Sequence, residues 1–207
     1  VGGAESSIKD ITDRIDPSDI EFHLVTLRYN SIFSKTEKIG NVLVHRIGIT
    51  KKNPSFEDLS KFPLDINKAL YQFLAAGKAC QLHRKYKYDA IWAMMVHSAG
   101  VPAVIFKLTH PRIKYFLTLQ EGDPVEYIEK TMRPLWPLFT RAFTKADKVQ
   151  VISTFLANWA KKRGVSDDKI EIIYDGANPK DLNESVSEQE VTELKKTLNK
   201  KSDEIYL

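Results

Sequence analysis

The side chains of this sequence that are best placed for chemistry come directly after apolar, strand-like segments. They are His97, Gln120, Glu121, Asp123 and Ser153. In an open parallel sheet, ligands bind just beyond the carboxyl ends of the strands, so these residues are the first candidates for a site. The carboxylates of Glu121 and Asp123 could hydrogen-bond ligand hydroxyls or orient one of them for attack. Gln120 could offer only neutral hydrogen bonds.

Each candidate also has an ordinary structural explanation. Gly122-Asp123-Pro124 is a normal turn into a helix, and we favour Asp123 as the N-cap of that helix. Ser153 fits a helix cap, which is sufficient reason for a serine there. His97 follows a buried strand, where we favour a satisfied core or strand-end histidine over one that lines a ligand cleft. For Glu121, the functional and structural interpretations both stay open.

Two adjacent glycines, Gly2 and Gly3, precede a segment with helical spacing of isoleucines. Without side chains, backbone N–H groups at the start of such a helix could face a diphosphate or a hydroxyl group. Glu5 in the first turn would compete with an anion. The alternative is a flexible chain end.

Helix and strand patterns alternate along most of the chain. Helices are predicted over 4–15, 65–86, 98–108, 154–163 and, short and amphipathic, 191–198. Strands are predicted over 20–27, 41–49, 89–95, 114–119, 148–152 and 170–173, with a further strand beginning at 204–207. Residues 124–145 predict a kinked helix or helix pair, bent at Pro134 and Pro137. Residues 34–38 and 51–63 predict loops. This alternation indicates an α/β fold with a doubly wound parallel sheet.

The helix predicted over 65–86 has a capping aspartate, Asp65, and an amphipathic pattern. Its apolar face is formed by Ile66, Ala69, Leu70, Phe73, Leu74 and Leu82. We expect this face to pack on the sheet.

Composition restricts the classes of function. The formal charge of +4 arises from 31 basic and 27 acidic residues, and no basic stripe with interleaved aromatics is visible, which argues against nucleic acid. Anionic small molecules or an acidic membrane surface stay open as partners.

Cys80 is the only cysteine, so no intrachain disulfide can form and a reducing cytoplasm fits best. The uncharged run 90–106 is too interrupted for a membrane span.

No metal site is predicted. Glu121-Gly122-Asp123 offers only two carboxylates on a loop, which is fewer oxygen ligands than a cation site usually has. His97 and His110 lack the spacing of metal ligands.

Three segments resemble one known family. They are Val1-Gly2-Gly3-Ala4-Glu5, the strand-to-helix step Ala146-Asp147-Lys148-Val149 through Ile152-Ser153, and Lys169-Ile170-Glu171-Ile172-Ile173-Tyr174-Asp175-Gly176-Ala177-Asn178. In this order they resemble the family 4 retaining glycosyltransferases with the GT-B fold. At Gln120, many members of that family carry histidine.

The resemblance implies a division of the chain and of the chemistry. Residues 1–178 would be the Rossmann-like, acceptor-binding N-terminal domain without its first strand, and 179–207 a linker and the start of the nucleotide-sugar-binding domain. The family's basic pair and Glu-x7-Glu motif would lie in that second domain, so this chain alone should transfer no sugar.

The implied substrates are a nucleotide diphosphate sugar and a carbohydrate or lipid-linked acceptor, with no further cofactor. The location expected from the single cysteine is the cytoplasm, with contact at the inner face of the membrane left open. An apolar ridge for a lipid-linked acceptor could be formed by Leu135, Trp136, Leu138 and Phe139, although we favour their packing in the core.

Two alternative functions stay open. One is a nucleotide-sugar 2-epimerase of GT-B fold, and the other is a non-catalytic α/β module that binds a nucleotide or partner.

Overall fold

The computed structural model describes residues 3–176 and 187–198. The helices are α1 Gly3–Thr12, α2 Asn67–Tyr86, α3 Val101–Thr109, α4 Val125–Thr131, α5 Trp136–Thr144, α6 Thr154–Lys162 and α7 Glu188–Thr197. The strands are β1 Phe22–Leu27, β2 Thr36–Ile39, β3 Val42–Ile47, β4 Ala90–Met94, β5 Lys114–Leu119, β6 Lys148–Val151 and β7 Ile170–Ile172. A π-helical turn spans Val96–Gly100, and 3-10 turns span Glu57–Ser60, Arg133–Leu135 and Asp167–Lys169.

The strands form two sheets. Four strands run parallel in the order β4-β5-β6-β7, and three strands form the order β1-β3-β2, with β1 parallel to β3. Helices connect the strands of the four-stranded sheet, as the alternating pattern predicted, whereas β1 and β3 are joined through β2. The prediction of an α/β fold with a parallel sheet is confirmed.

The predicted loop at 34–38 is partly wrong, because it contains most of β2. This strand pairs antiparallel with β3 from Thr36 opposite His45 to Ile39 opposite Val42. Every residue of β2 is exposed, so no buried face imposes the apolar alternation by which strands are recognised in a sequence. A tight turn at Gly40, with φ of +54°, brings β2 back against β3.

The main core lies between the four-stranded sheet and helices α3, α5 and α6. Tyr115 and Leu117 of β5 point into it and are fully buried. Phe143 meets Phe139 and Trp159 edge to face, with ring centroids 5.4 and 5.0 Å apart. Such aromatic pairs add stabilisation beyond that expected from the area that they bury.

Pro134 and Pro137 lie where α4 gives way to α5, so the predicted helix pair is confirmed.

A half-buried ion pair joins α3 to the connection between α5 and β6 beside this core. Asp147 Oδ2 accepts hydrogen bonds from the Tyr115 amide at 2.7 Å and from Lys107 Nζ at 2.8 Å. Burial raises the pKa of the Asp147 carboxyl, but the Lys107 and Tyr115 hydrogen bonds outweigh it and the pKa is lowered. The carboxylate therefore links the start of β5 to the connection between α5 and β6.

Helix α2 turns a different face inward from the one its apolar pattern predicts. Leu70, Phe73 and Leu74 are exposed, while Leu82 is buried as predicted. The other buried residues are Asn67, Gln72, Ala75 and Ala76. Small alanines let the helix approach its neighbours closely, so the buried face does not need large apolar side chains.

Polar side chains complete the buried face of α2. Asn67 accepts a hydrogen bond from the Ile49 amide and donates one to the Ile49 carbonyl, each at 2.8 Å. The predicted cap is also displaced: Ile66 is the N-cap without a side-chain bond, and Asp65 accepts from the Ile66 amide. The helix is thus fixed by side chains inside it rather than by its cap.

A cluster of buried rings lies near the amino ends of β1 and β4. His23 Nε2 lies 2.8 Å from Glu21 Oε1, while its Nδ1 lies 2.6 Å from Tyr88 Oη and 3.3 Å from His45 Nε2. Because a carboxylate only accepts, Nε2 donates to Glu21, while the direction of the two Nδ1 bonds depends on the tautomers of the rings. These contacts join β1 to β3 and to the residues that precede β4.

Stability is expected to fall in acid because of His45. Burial, followed by His23, Lys78 and Lys85, lowers the pKa of this imidazole from 6.5. The unfolded chain therefore binds the proton more readily, and the contribution present above the unfolded pKa is lost as pH falls through the folded pKa. Chemical denaturation between about pH 8 and about pH 5 should show this loss, with a shallower pH dependence in His45→Gln. Equal pH dependence in both proteins would contradict the prediction.

The structure divides the chain into the units 1–174 and 175–207. In the second unit, helix α7 confirms the amphipathic helix that the sequence indicates after residue 190. Gly2 and the predicted strand at 204–207 lie outside the described residues, and the domain boundary at 178 stays a prediction. Among residues 3–176 and 187–198, no helix has the length and apolar character needed to cross a bilayer.

Candidate functional site

The candidate site lies where β4 and β5 end side by side. These strands pair in parallel from Ala90 opposite Lys114 to Met94 opposite Thr118, so their carboxyl ends reach the same edge of the sheet. The chain beyond β4 is the π-helical turn Val96–Gly100, and the chain beyond β5 begins with Gln120. This juxtaposition brings four of the predicted site residues to one edge, as expected for an open parallel sheet.

Glu121 is the buried acid of the site. Its side chain is 0% exposed, and its Oε1 accepts a hydrogen bond from the Val96 amide at 2.6 Å. Within the described part of the chain, its second oxygen, Oε2, is buried without a hydrogen-bond partner. A buried carboxylate oxygen left in this state is costly unless a ligand satisfies it.

His97 stands between two carboxylates. Its Nδ1 lies 3.8 Å from Glu121 Oε1, and its Nε2 lies 3.9 Å from Asp123 Oδ2. Both separations are too long for hydrogen bonds. The His97 side chain is 27% exposed and that of Asp123 is 54% exposed, so the cluster runs from a buried acid to an accessible one. A ligand could reach His97 and Asp123 while Glu121 stays inside.

The backbone that carries His97 is unusual. Met95 has φ of +63° and ψ of 120°, a conformation that non-glycine residues rarely adopt, and the π-helical turn begins directly after it. Both features are enriched at functional sites. The turn is held by Gln72 Nε2, which donates to the His97 carbonyl at 3.3 Å, and by the Met95 amide, which donates to Thr118 at 2.9 Å.

Gly100 explains how the turn fits against the core. A Cβ added there would lie 2.8 Å from Val96 Cγ2 and 3.1 Å from the Ala142 methyl group. Neither buried neighbour has a flexible end that could move away. The glycine thus allows the turn bearing His97 to pack against α5.

The predicted cap at Asp123 is wrong. Pro124 is the N-cap of α4, and no side chain caps that helix end. The Asp123 carboxylate lies near His97 instead, which favours the functional interpretation of this residue. His97 lies just beyond the end of β4, as expected of a strand-end histidine, but its Nδ1 is buried without a hydrogen-bond partner among the described residues, so it is not a satisfied one.

Gln120 connects the site to helix α1. Its Nε2 donates to Ser7 Oγ at 2.9 Å, which ties the end of β5 to the second turn of α1. Gly3 is the first residue of α1, and a Cβ added to it would meet nothing within 4 Å. Open space around Gly3 agrees with its candidacy for ligand binding but does not test it.

Ser153 caps α6, as the sequence predicts. Its Oγ accepts a hydrogen bond from the Leu156 amide at 3.2 Å. Any contact of Ser153 with a ligand stays a prediction.

Trp136 is half-buried against the core rather than part of an exposed ridge. The Arg163 guanidinium lies 4.1 Å from its ring centroid, and Trp136, Leu135 and Leu138 pack against the core. Our preferred interpretation of this segment as core is supported.

The structure also contains a surface cavity of about 500 Å³ that was not predicted from the sequence. It is lined by Glu126, Glu129, Lys130, Arg133 and Trp136.

Within the residues that the structure describes, no group of three or more histidine, cysteine, aspartate or glutamate side chains could hold a metal ion. The expectation of a metal-free site stays a prediction.

The comparisons with known proteins agree with the resemblance seen in the sequence. None of the curated proteins compared matches this chain. The family model of Glycosyltransferase Family 4 matches residues 1–181, most of the 207 residues. This chain belongs to glycosyltransferase family 4.

Proposed function

We propose that this chain is the acceptor-binding half of a retaining GT-B glycosyltransferase, which moves a sugar from a nucleotide diphosphate sugar to a hydroxyl acceptor. The observation that carries the proposal is the His97, Glu121 and Asp123 cluster at the carboxyl edge of the parallel sheet. Family membership supports the reaction class. The acceptor is a carbohydrate or lipid-linked hydroxyl compound, and the reaction takes place on the cytoplasmic side of the membrane.

In this proposal His97 and Asp123 bind the acceptor. Their accessible ends can hydrogen-bond a sugar hydroxyl and aim its oxygen at the donor. Glu121 is a positioning residue, because it is buried and acts through the Val96 amide and the His97 ring. Gln120 supplies neutral hydrogen bonds where many relatives carry histidine.

The donor side completes the reaction. A second domain holds the nucleotide sugar, and the acceptor oxygen attacks from the face that the leaving phosphate departs from. The leaving phosphate accepts the acceptor's proton, so no nucleophilic side chain or metal is required. Gly3 at the start of α1 offers backbone N–H groups toward the phosphates or the acceptor.

Glu121→Gln tests the positioning role in the full-length protein. The amide keeps an oxygen for the Val96 N–H but removes the charge beside His97. We expect kcat/KM for the acceptor to fall roughly tenfold or more, because small misplacements of an acceptor slow transfer strongly. Hydrolysis of the nucleotide sugar by water should stay unchanged, whereas a loss of folded protein would lower transfer and hydrolysis alike.

Glu171→Gln is the matched control, because Glu171 is an exposed carboxylate on β7. It should leave transfer unaffected. Transfer with inversion at the anomeric carbon would contradict the retaining mechanism. Conversion of the nucleotide sugar into its epimer without any acceptor would support the epimerase alternative, and ligand binding without turnover would support the binding module.

A further inference from the structure

The surface cavity of about 500 Å³ is formed by α4, the 3-10 turn Arg133–Leu135 and the first residue of α5. We call it the α4 cavity. Its volume lies in the range of small-molecule sites, which are concave and combine an apolar wall with a few polar groups. Four of its five lining residues are charged, and the fifth is Trp136. The proposed function assigns no role to this cavity.

The charged side chains around the α4 cavity are not paired with one another. Glu126 precedes Lys130 by four residues, and Glu129 precedes Arg133 by four. Opposite charges at this spacing on a helix usually pair. Within the described part of the chain, however, Glu126, Lys130 and Arg133 make no ion pair and no side-chain hydrogen bond. The donors and acceptors of these three side chains are therefore open to a ligand.

The other two lining side chains, Glu129 and Trp136, are held in place by α5 and α6. Trp159 Nε1 donates a hydrogen bond to Glu129 Oε1 at 2.9 Å. The Arg163 guanidinium lies 4.1 Å from the Trp136 ring centroid and donates to Thr140 Oγ1 at 2.6 Å. Because Arg163 does not line the cavity, the cavity adjoins a part of the indole that the guanidinium leaves uncovered. Groups fixed in this way lose little conformational freedom when a ligand binds.

The chemistry of the α4 cavity favours a neutral ring that carries several hydroxyl groups. Its two carboxylates accept hydrogen bonds and its two cations donate them, and a hydroxyl group can do both. The equal numbers of opposite charges leave no net charge to attract an anion or a cation. An indole ring supplies a flat apolar wall on which the C–H face of a sugar ring can pack. A sugar ring therefore satisfies every part of the lining.

We infer that the α4 cavity binds a sugar ring of the acceptor that does not itself react. Helix α4 begins two residues after Asp123. At about 1.5 Å of helical rise per residue, Glu126 and Lys130 lie roughly 5 and 10 Å from Asp123 along the chain. An acceptor of two or more sugars could thus place its reacting hydroxyl at His97 and Asp123 and another ring in the cavity. The link to the acceptor rests on the proposed function, whereas the binding of a sugar ring does not.

The indole N–H resonance of Trp136 tests sugar binding in the full-length protein by NMR. Maltose, cellobiose and chitobiose are the neutral probes, and inorganic phosphate is the anionic probe. We expect at least one disaccharide to shift this resonance saturably and phosphate to leave it unchanged. Trp92 is the internal control, because its Nε1 donates to Thr118 Oγ1 at 2.9 Å and it does not line the cavity. Its resonance should not follow the same titration.

Glu126→Ala with Arg133→Ala removes one acceptor and one donor from the cavity wall. We expect the affinity for the disaccharide to fall about tenfold or more, because hydrogen bonds to charged groups are lost. The same variant should raise KM for an acceptor of two or more sugars by a similar factor and leave KM for a single-sugar acceptor unchanged.

The matched control is Lys145→Ala with Glu171→Ala, since both side chains are exposed and neither lines the cavity. It should bind the disaccharide and use both acceptors as the unchanged protein does. Circular dichroism confirms that each variant is folded.

Several results would overturn the inference. They are a shift of the Trp136 resonance by phosphate alone, no shift with any probe, and equal disaccharide binding by the cavity variant and the unchanged protein. Normal transfer with an unchanged KM for the longer acceptor would also reject the cavity while leaving the proposed function in place. Disaccharide binding that the cavity variant weakens, in a full-length protein that transfers no sugar, would support sugar binding and contradict the proposed function.

Discussion

Replacing Phe143 by alanine is expected to lower the free energy of unfolding by about 3–5 kcal/mol. Phe143 is fully buried between Phe139 and Trp159, with which it makes edge-to-face contacts at 5.4 and 5.0 Å. The truncation removes the transfer free energy of the ring, leaves a cavity and breaks both aromatic pairs. Because domains are commonly stable by about 5–15 kcal/mol, this one change would remove a large part of the total.

Urea denaturation followed by tryptophan fluorescence measures this loss, because Trp159 lies against the altered site. The control is Phe155→Ala on the same helix as Trp159, where the ring is 66% exposed. It should change stability by no more than about 0.5 kcal/mol, as surface substitutions usually do. Similar losses in the two variants would show that Phe143 is not a central packing residue.

The parallel sheet and most helices were predictable from the sequence because their patterns are set by burial. β5 occupies the predicted residues 114–119, and the proline-bent segment divides into α4 and α5. β2 was not predicted, because the sequence of an edge strand that is exposed on both faces does not alternate between apolar and polar residues. In α2, alanines and hydrogen-bonded polar residues form the buried face. The pattern of large apolar residues therefore predicted the wrong buried face for this helix.

The candidate site was predictable only as a location. Strand ends in a parallel sheet share one edge, so His97, Glu121 and Asp123 could be expected near one another. Their separations depend on the conformation of Met95 and on the π-helical turn, which no local pattern indicates. The side chain of Asp123 lies toward His97 rather than on the end of α4, because Pro124 takes the N-cap position itself.

Replacing His97 by alanine in the full-length enzyme is expected to lower the rate of sugar transfer roughly 100-fold or more. The ring lies 3.8 Å from the buried carboxylate of Glu121 and 3.9 Å from the accessible carboxylate of Asp123. In our proposal it holds the acceptor hydroxyl in the orientation needed for attack, and alanine leaves Asp123 alone to do so. Transfer should be measured at saturating donor with varied acceptor, alongside hydrolysis of the donor by water.

The two readouts separate an acceptor-side role from general damage. Because the nucleotide sugar binds mainly to the other domain in our proposal, His97→Ala should leave donor hydrolysis nearly unchanged while transfer falls. His97→Gln should recover part of the transfer, since glutamine can still hydrogen-bond a hydroxyl. His110→Ala is the matched control: this imidazole stacks on Phe106, with ring centroids 4.6 Å apart, at the carboxyl end of α3. Equal transfer by His97→Ala and the unchanged enzyme would exclude His97 from acceptor binding, whereas parallel losses of transfer and hydrolysis would place its effect on the fold.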